Sequence, residues 1–444
     1  MPKKINVLLL VITFPALLVA QAAAPLELSL KQAIEIALAP EGDARVSLAR
    51  EAVKQVESRA AQARAALLPN LDAAVSEQSQ TRNLASFGIQ IAVPVPGFNF
   101  PQFVGPFNVF DARVSATQTV FDFSSIRRYQ AAKTSLQAAG DENDAARDQV
   151  AGQTATAYLA ALRAQALAEA AGADAGLAES LVKLASNQKS AGTGTGIEVT
   201  RAKVQLAQAR QQLLVAENGL RQRQMELLRV IGLRMDAALR LSGKLDDAPV
   251  EAWAAEKALV TALESRADWK AQQKRERTAR LAYSGVKMER LPSLVGFADY
   301  GANGPGIDNS VPTRAVGLSL RVPIFDGGRR DARRSESQSQ YEQERVRTRD
   351  LQRRIELEVR LALDNLESSR EQVKVAAEGL AQVEAELEQA ERRYKAGMAN
   401  SLEVTDAQTR LARARDNRIA ALFLYNRARL DLWQAMGTIR QMVN

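Results

Sequence analysis

The chain of 444 residues contains no cysteine and no histidine. The first absence excludes disulfides, thiolate nucleophiles and cysteine-ligated metals. The second removes imidazole, the usual general base near neutral pH and the commonest transition-metal ligand. Aromatic residues are scarce at 5%, yet hydrophobic residues reach 46%, alanine supplying much of that share. Alanine, leucine, glutamine, glutamate and arginine are good helix formers, so long helices packed through small side chains are expected instead of a compact enzyme core. No cofactor and no catalytic residue is expected.

Long apolar runs are missing too, except at the N-terminus. There Lys3 and Lys4 precede an apolar stretch from Val7 to Ala20, followed by Ala20-Gln21-Ala22 as a small-x-small cleavage site. That arrangement predicts a signal peptide over residues 1–22, because the run is shorter than the ~20 residues of a spanning helix. Lysine and arginine number 59 against 51 acids, a formal charge of +8 that falls to +6 once Lys3 and Lys4 are removed. The charges are interspersed, as in Arg353, Arg354 and Glu356, which describes solvated helix faces. Nucleic acid is not an expected partner.

The chain reads as two copies of one unit. Ala191-Gly192 through Ile197-Glu198-Val199-Thr200 matches Ala396-Gly397 through Leu402-Glu403-Val404-Thr405 at an offset of 205, and Gly232 matches Gly437. Val120-Phe121-Asp122 aligns with Ile324-Phe325-Asp326 at 204, and Leu68-Pro69-Asn70-Leu71 with Leu291-Pro292-Ser293-Leu294 at 223. One connection is therefore 19 residues longer in the first copy. The expected division is a first repeat over 23–232, a linker over 233–250 and a second repeat over 251–444.

Strands are expected where hydrophobicity alternates. Val316, Leu318, Leu320 and Val322 fall on one side, Gly317, Ser319 and Arg321 on the other, and the alternation repeats from Arg113 to Phe121. Period two with one apolar face describes a half-exposed strand. Residues 70–82 and 293–301 are the weaker partners, giving β-hairpins over 70–122 and 293–325. Each strand is about ten residues, the length of a tilted membrane-spanning strand. Between the first pair, Pro94, Pro96, Pro101 and Pro106 with Phe98, Phe100, Phe103 and Phe107 predict a loop. Residues 124–188 and 327–395 lack proline and predict helices of about 100 Å. They turn at glycines and return over 197–231 and 402–436, forming helical hairpins over 124–231 and 327–437.

Four strands cannot close a membrane barrel, whose smallest form has eight, and open edges are not tolerated in lipid. The chain must therefore oligomerise, two copies giving eight strands and three giving twelve.

The Leu-Pro-x-Leu before each first strand, the Phe-Asp after each second one, and the words Val322-Pro323-Ile324-Phe325-Asp326 and Tyr394-Lys395-Ala396-Gly397 resemble the TolC family of outer-membrane channel-tunnels over residues 26–440. The resemblance implies a mainly α chain with a membrane β-barrel. Three copies would share a 12-stranded barrel in the outer membrane of a Gram-negative-type cell and a helical tunnel reaching into the periplasm. It implies a passive exit duct for efflux of small molecules or type I secretion. The expected partners are a homotrimer, outer-membrane lipid, a periplasmic adaptor (membrane fusion) protein and an inner-membrane RND pump or ABC exporter. Two other readings compete: a periplasmic coiled-coil scaffold or adaptor, which would lack paired membrane-length strands, and a carboxylate hydrolase using Asp246 and Asp247, or Glu403 and Asp406, which lacks a pocket-forming domain.

Several residues carry these expectations. Val316, Leu318, Leu320 and Val322 are expected to face lipid. Gly192, Gly194, Gly196 and Gly397 form the hairpin tips, where the resemblance implies adaptor docking, although plain helix caps need the same glycines. Glu403 and Asp406, three apart on one helix face, form a candidate constriction that would favour cations in a symmetric ring. They equally complement a helix dipole. Tyr394 and Glu198 match two of the family's gate contacts, while Ala399 stands where the family has arginine. Thr195-Gly196-Ile197-Glu198 also reads as a capping box.

Overall fold

The computed structural model describes residues 26–88, 103–249 and 253–441. The expected signal peptide and the prolines and phenylalanines between 94 and 101 lie outside those residues. Three short elements open the chain: β1 (Leu26–Leu28), α1 (Leu30–Leu38) and α2 (Ala44–Ala65). Strands β2 (Asn70–Asn83) and β3 (Phe103–Phe121) follow, then the helical hairpin α3 (Phe123–Ser190) and α4 (Gly196–Val230). After β4 (Leu239–Leu241), the same order returns as α5 (Ala255–Ser265), α6 (Ala267–Met288), β5 (Ser293–Gly304), β6 (Val311–Arg321), α7 (Arg329–Lys395) and α8 (Ser401–Ala435).

The long helices begin and end on local chemistry. Asp122 caps α3 by accepting from the Ser124 N–H at 2.9 Å, and Asn400 caps α8 by accepting from Leu402 and Glu403. At the far end of α3, the Gly192 N–H donates to Lys189 and the Thr193 N–H to Gln188. The same pair of bonds closes α4 at Gly232, α7 at Gly397 and α8 at Gly437. All four glycines have φ between 72° and 77°, so each is the left-handed residue of a Schellman cap. Helices of 68 and 67 residues extend about 100 Å at 1.5 Å per residue, so packing along their length must hold them.

Three patches supply that packing. Val150, Ala151, Ala155, Tyr158, Leu159 and Leu162 of α3 bury against Ala33, Ile34 and Ala37 of α1 and against Leu227, Leu228 and Ile231. Ile355, Val359 and Ala362 of α7 bury against Ala258, Ala262, Trp269 and Met436. Near the tips, Leu181, Ala185 and Ala202 of the first hairpin meet Leu387, Ala390, Val404 and Leu411 of the second. None of the helices among the described residues is long and apolar enough to cross a membrane.

The stretch expected as a linker over 233–250 does more than connect. Its β4 pairs in parallel with β1, Leu26 opposite Leu239 and Leu28 opposite Leu241. Asp246 and Asp247 then bind Arg429 and Arg418 of α8, which occupies one of the two carboxylate pairs offered to the hydrolase reading. The Tyr425 hydroxyl of α8 donates to the Ala248 carbonyl at 2.9 Å. This strap fastens the first half of the chain to the second.

The main sheet has the order β2-β3-β5-β6 and is antiparallel throughout. Two expectations need correction. Phe103, Pro106 and Phe107 belong to β3, not to a loop. The proline is tolerated because the β2–β3 register shifts between Gln80 and Arg82, and a break in the ladder spares the missing N–H. In addition, β6 ends at Arg321, so Val322 stands one residue beyond it.

Candidate functional site

Register decides which side chains share a face, because directly opposed residues of an antiparallel pair point the same way. Leu71 opposes Ala116, Ala116 opposes Ala298, and Ala298 opposes Val316. Likewise Ala73, Val114 and Tyr300 align across β2, β3 and β5, while Leu318 opposes Gly296 and Leu320 opposes Leu294. One face is therefore mainly apolar across all four strands, from Leu71 and Val75 to Val316, Leu318 and Leu320, interrupted by Gln118 and Arg314. Val316 is 84% exposed, Leu318 69% and Leu320 65%.

The opposite face is largely polar, although it also carries Val295 and Phe297. Asp72, Ser115 and Asp299 align there, as do Ser76 and Asp111. Arg113 lies between two carboxylates, donating to Asp111 at 2.7 Å and to Asp299 at 3.1 Å. Burying one Leu or Val side chain stabilises by about 1.5–3 kcal/mol, and a contiguous apolar patch marks an interaction surface. Such a sheet in a single layer needs an apolar surround on one side and water on the other.

The second candidate region is the pair of turns at the far ends of the helices. Gly192 and Gly397 hold left-handed conformations that a side chain would strain. Gly194 has a different need: an added Cβ would lie 3.0 Å from the Gln188 Cβ and 3.1 Å from the Lys189 nitrogen. Gly196 starts α4 and is not crowded in this way. The four tip glycines thus divide into two caps, one close approach and one helix start.

Around these turns, Glu198 closes a capping box, its Oε2 accepting from the Thr195 N–H at 2.8 Å and from the Thr195 hydroxyl at 3.0 Å. Tyr394 is buried beside Val404 and Ala407, and its hydroxyl oxygen is buried with no partner among the described residues. Burial pushes that hydroxyl's pKa up, and the Glu198 charge adds to the rise. The Arg393 guanidinium lies 3.5 Å from the Glu403 carboxylate. Sequence alignment left the cation position empty at Ala399, whereas the turn brings Arg393 back onto the first turn of α8. Asp406 is exposed and has no ion pair among the described residues.

Comparison with known proteins gives these features a context. The family of outer membrane efflux proteins matches residues 36–233 and 258–438. A stretch of 150 residues is 25% identical to the outer membrane protein TolC of Escherichia coli K12, covering 34% of this chain and 30% of that protein. The chain therefore matches under a third of that relative's length. Among solved structures, the outer membrane protein VceC of Vibrio cholerae superimposes with a TM-score of 0.77 at 21% identity, over 92% of this chain and 96% of that one. The CmeC outer membrane channel of Campylobacter jejuni gives 0.78 at 17%, over 92% and 85%. At these identities the likeness concerns the fold, which is mainly helical with a small sheet.

Proposed function

Since the chain belongs to the outer membrane efflux protein family, we propose that it is a passive outer-membrane duct extending into the periplasm. The observation that supports this most directly is the two-faced sheet with open β2 and β6 edges. Three copies joined edge to edge make a twelve-stranded barrel, with Leu318 and its neighbours toward lipid and Arg113 with its two carboxylates toward the water-filled lumen. The long hairpins then surround a tunnel. A scaffold or adaptor would leave the four-stranded apolar face without a use.

In this reading the duct performs no bond chemistry. An inner-membrane RND pump or ABC exporter supplies the energy, and a periplasmic adaptor meets the helical tips around Gly192 and Gly397. Efflux of small molecules is the favoured traffic, with type I secretion through the same conduit. At the entrance, Glu403 and Asp406 form a carboxylate ring that favours cations. Arg393 tempers Glu403 from within the same hairpin, leaving Asp406 as the unpaired charge. Tyr394 and Glu198 act as gate contacts by fixing the two turns.

Purified protein added to planar bilayers should give discrete conductances and run as a heat-resistant trimer. Leu318→Arg should cost about 2–4 kcal/mol near the bilayer midplane and abolish both signals. Full membrane yield and conductance in that variant would refute the lipid-facing assignment.

A further inference from the structure

Charge is distributed unevenly along the helices. The twelve helix-side residues next to each of the four strand ends (58–69, 122–133, 281–292 and 322–333) hold ten Arg or Lys against four Asp or Glu. The rest of the chain holds 49 against 47. Nearly all the net positive charge therefore gathers where the helices meet the sheet.

The four carboxylates in these stretches are already engaged. Asp122 pairs with Arg128, Asp326 with Arg330, Asp331 with Arg290, and Glu289 with Arg333 at 2.9 Å. Six cations have no ion pair among the described residues: Arg59, Arg64, Arg127, Lys133, Lys287 and Arg329. Their spacing adds order. Arg64, Arg127 and Lys287 each lie six residues from the adjoining strand end, and Arg329 lies eight. All four thus lie within eight residues of a strand end, at the level where the helices meet the sheet. Between that level and the apolar face stand exposed Phe121, Phe123, Ile324 and Phe325, which continue the apolar surface toward the helices.

We propose that this level is a collar that binds the headgroups of anionic phospholipids in the leaflet facing the helices, a proposal that rests on the membrane reading of the sheet. None of these cations carries a carboxylate partner among the described residues: Arg127 donates to Gln130 and the Lys287 ammonium lies over the Tyr283 ring, and a phosphate is the complementary partner of such a cation. The aromatic and branched side chains seat the acyl boundary just above. Bound lipid would fix how deeply the barrel sits and hold the four helices at its rim.

The test uses the assembled channel, reconstituted in phosphatidylethanolamine with or without phosphatidylglycerol, then extracted and examined for retained lipid by native mass spectrometry. Wild-type channel should retain phosphatidylglycerol preferentially, and high salt should erase the preference. Arg64→Gln, Lys287→Gln and Arg329→Gln should each weaken retention by about fivefold, while Arg354→Gln, far along α7, should not. Insertion without a lipid preference, or a preference that survives the triple substitution, would overturn the collar alone. Equal loss in Arg354→Gln would overturn it as well, by reducing the effect to general charge. Loss of binding to purified peptidoglycan in the triple variant, with lipid retention unchanged, would assign the level to the cell wall and overturn the lipid collar. Failure of wild-type protein to enter either bilayer would overturn the collar and the membrane reading together.

Discussion

Helices α3 and α7 have nearly the same length and the same place in the element order, yet they are built from different material. Of the 68 residues of α3, 14 are charged, against 30 of the 67 in α7. Nineteen residues of α3 are buried and nine of α7. The difference follows from neighbours. Helix α3 is packed by α1, α2, α4, α6 and α8, whereas α7 meets chiefly α6 and α8, with α5 at one end. Small alanines allow close approach on several sides, and arginine–carboxylate pairs such as Arg354–Asp350 suit a surface. Equal length therefore hides unequal duty: one helix is the strut of its own chain, and the other keeps its surface for water or for another copy.

Substitutions can break or sharpen that contrast. The largest effect is expected at Tyr158, whose side chain is buried in α3 and whose hydroxyl donates to the Leu28 carbonyl and accepts from the Gly243 N–H, both at 3.1 Å. Tyr158→Ala should cost about 3–5 kcal/mol and loosen the β1–β4 strap; a Tm shift no larger than that of a surface variant would remove α3 from its central role.

A smaller loss is expected from Arg415→Ala. Arg415 bonds Asp174 at 2.5 Å and ties α8 to α3, both side chains being largely buried. Removing one partner leaves a desolvated carboxylate, at about 1–3 kcal/mol for this partly exposed pair. Burial raises the Asp174 pKa and Arg415 opposes the rise. A raised folded-state pKa means that the folded state holds its proton longer, so this contribution to stability falls as pH rises through the raised value. The Arg415→Ala penalty should thus be greatest at neutral pH and shrink as pH falls through the raised folded-state values, which lie above the ordinary Asp range. Urea melts at two pH values would expose a flat response.

On α7 the same exercise should do little. Arg354→Ala removes an exposed pair from the isolated chain at below about 0.5 kcal/mol. A loss above about 1 kcal/mol confined to the trimer would show that this surface is reserved for another copy. The smallest stability change belongs to Glu403→Ala with Asp406→Ala, where exposed dipole terms are below about 1 kcal/mol each. Trimer yield should stay constant while single-channel cation selectivity falls; unchanged selectivity would move the constriction elsewhere.

The long helices and their turns were legible because glycine spacing and uninterrupted helical composition act over tens of residues. The apolar face of β6 was legible from period two. Local sequence was weaker at Pro106, where a bulge in β3, with Gly105 and Pro106 opposite Thr81, rescues an unfavourable residue. It was silent at β1 and β4, because three residues each carry no periodicity and pair across 213 positions. Arg393 escaped notice for a related reason. The family's cation position lies after the turn, at Ala399, whereas in the fold Arg393 reaches Glu403 from before it. At Glu198 and Gly196, by contrast, the capping-box reading matches the contacts formed.

The two edges of the main sheet are unlike: β2 has 14 residues and β6 has 11. A seam between copies that joins one chain's β2 to another's β6 is head-to-tail, so every chain contributes two different halves of two different seams. A chain with only its β6 edge blocked can still accept a neighbour on β2, then stops growth at that point. In the proposed ring of three, mixing such chains with wild type at equal dose would leave only one ring in eight intact, and a single copy would suffice to spoil the remainder. Inheritance of such a defect would be dominant, because closure requires every chain and growth requires only one.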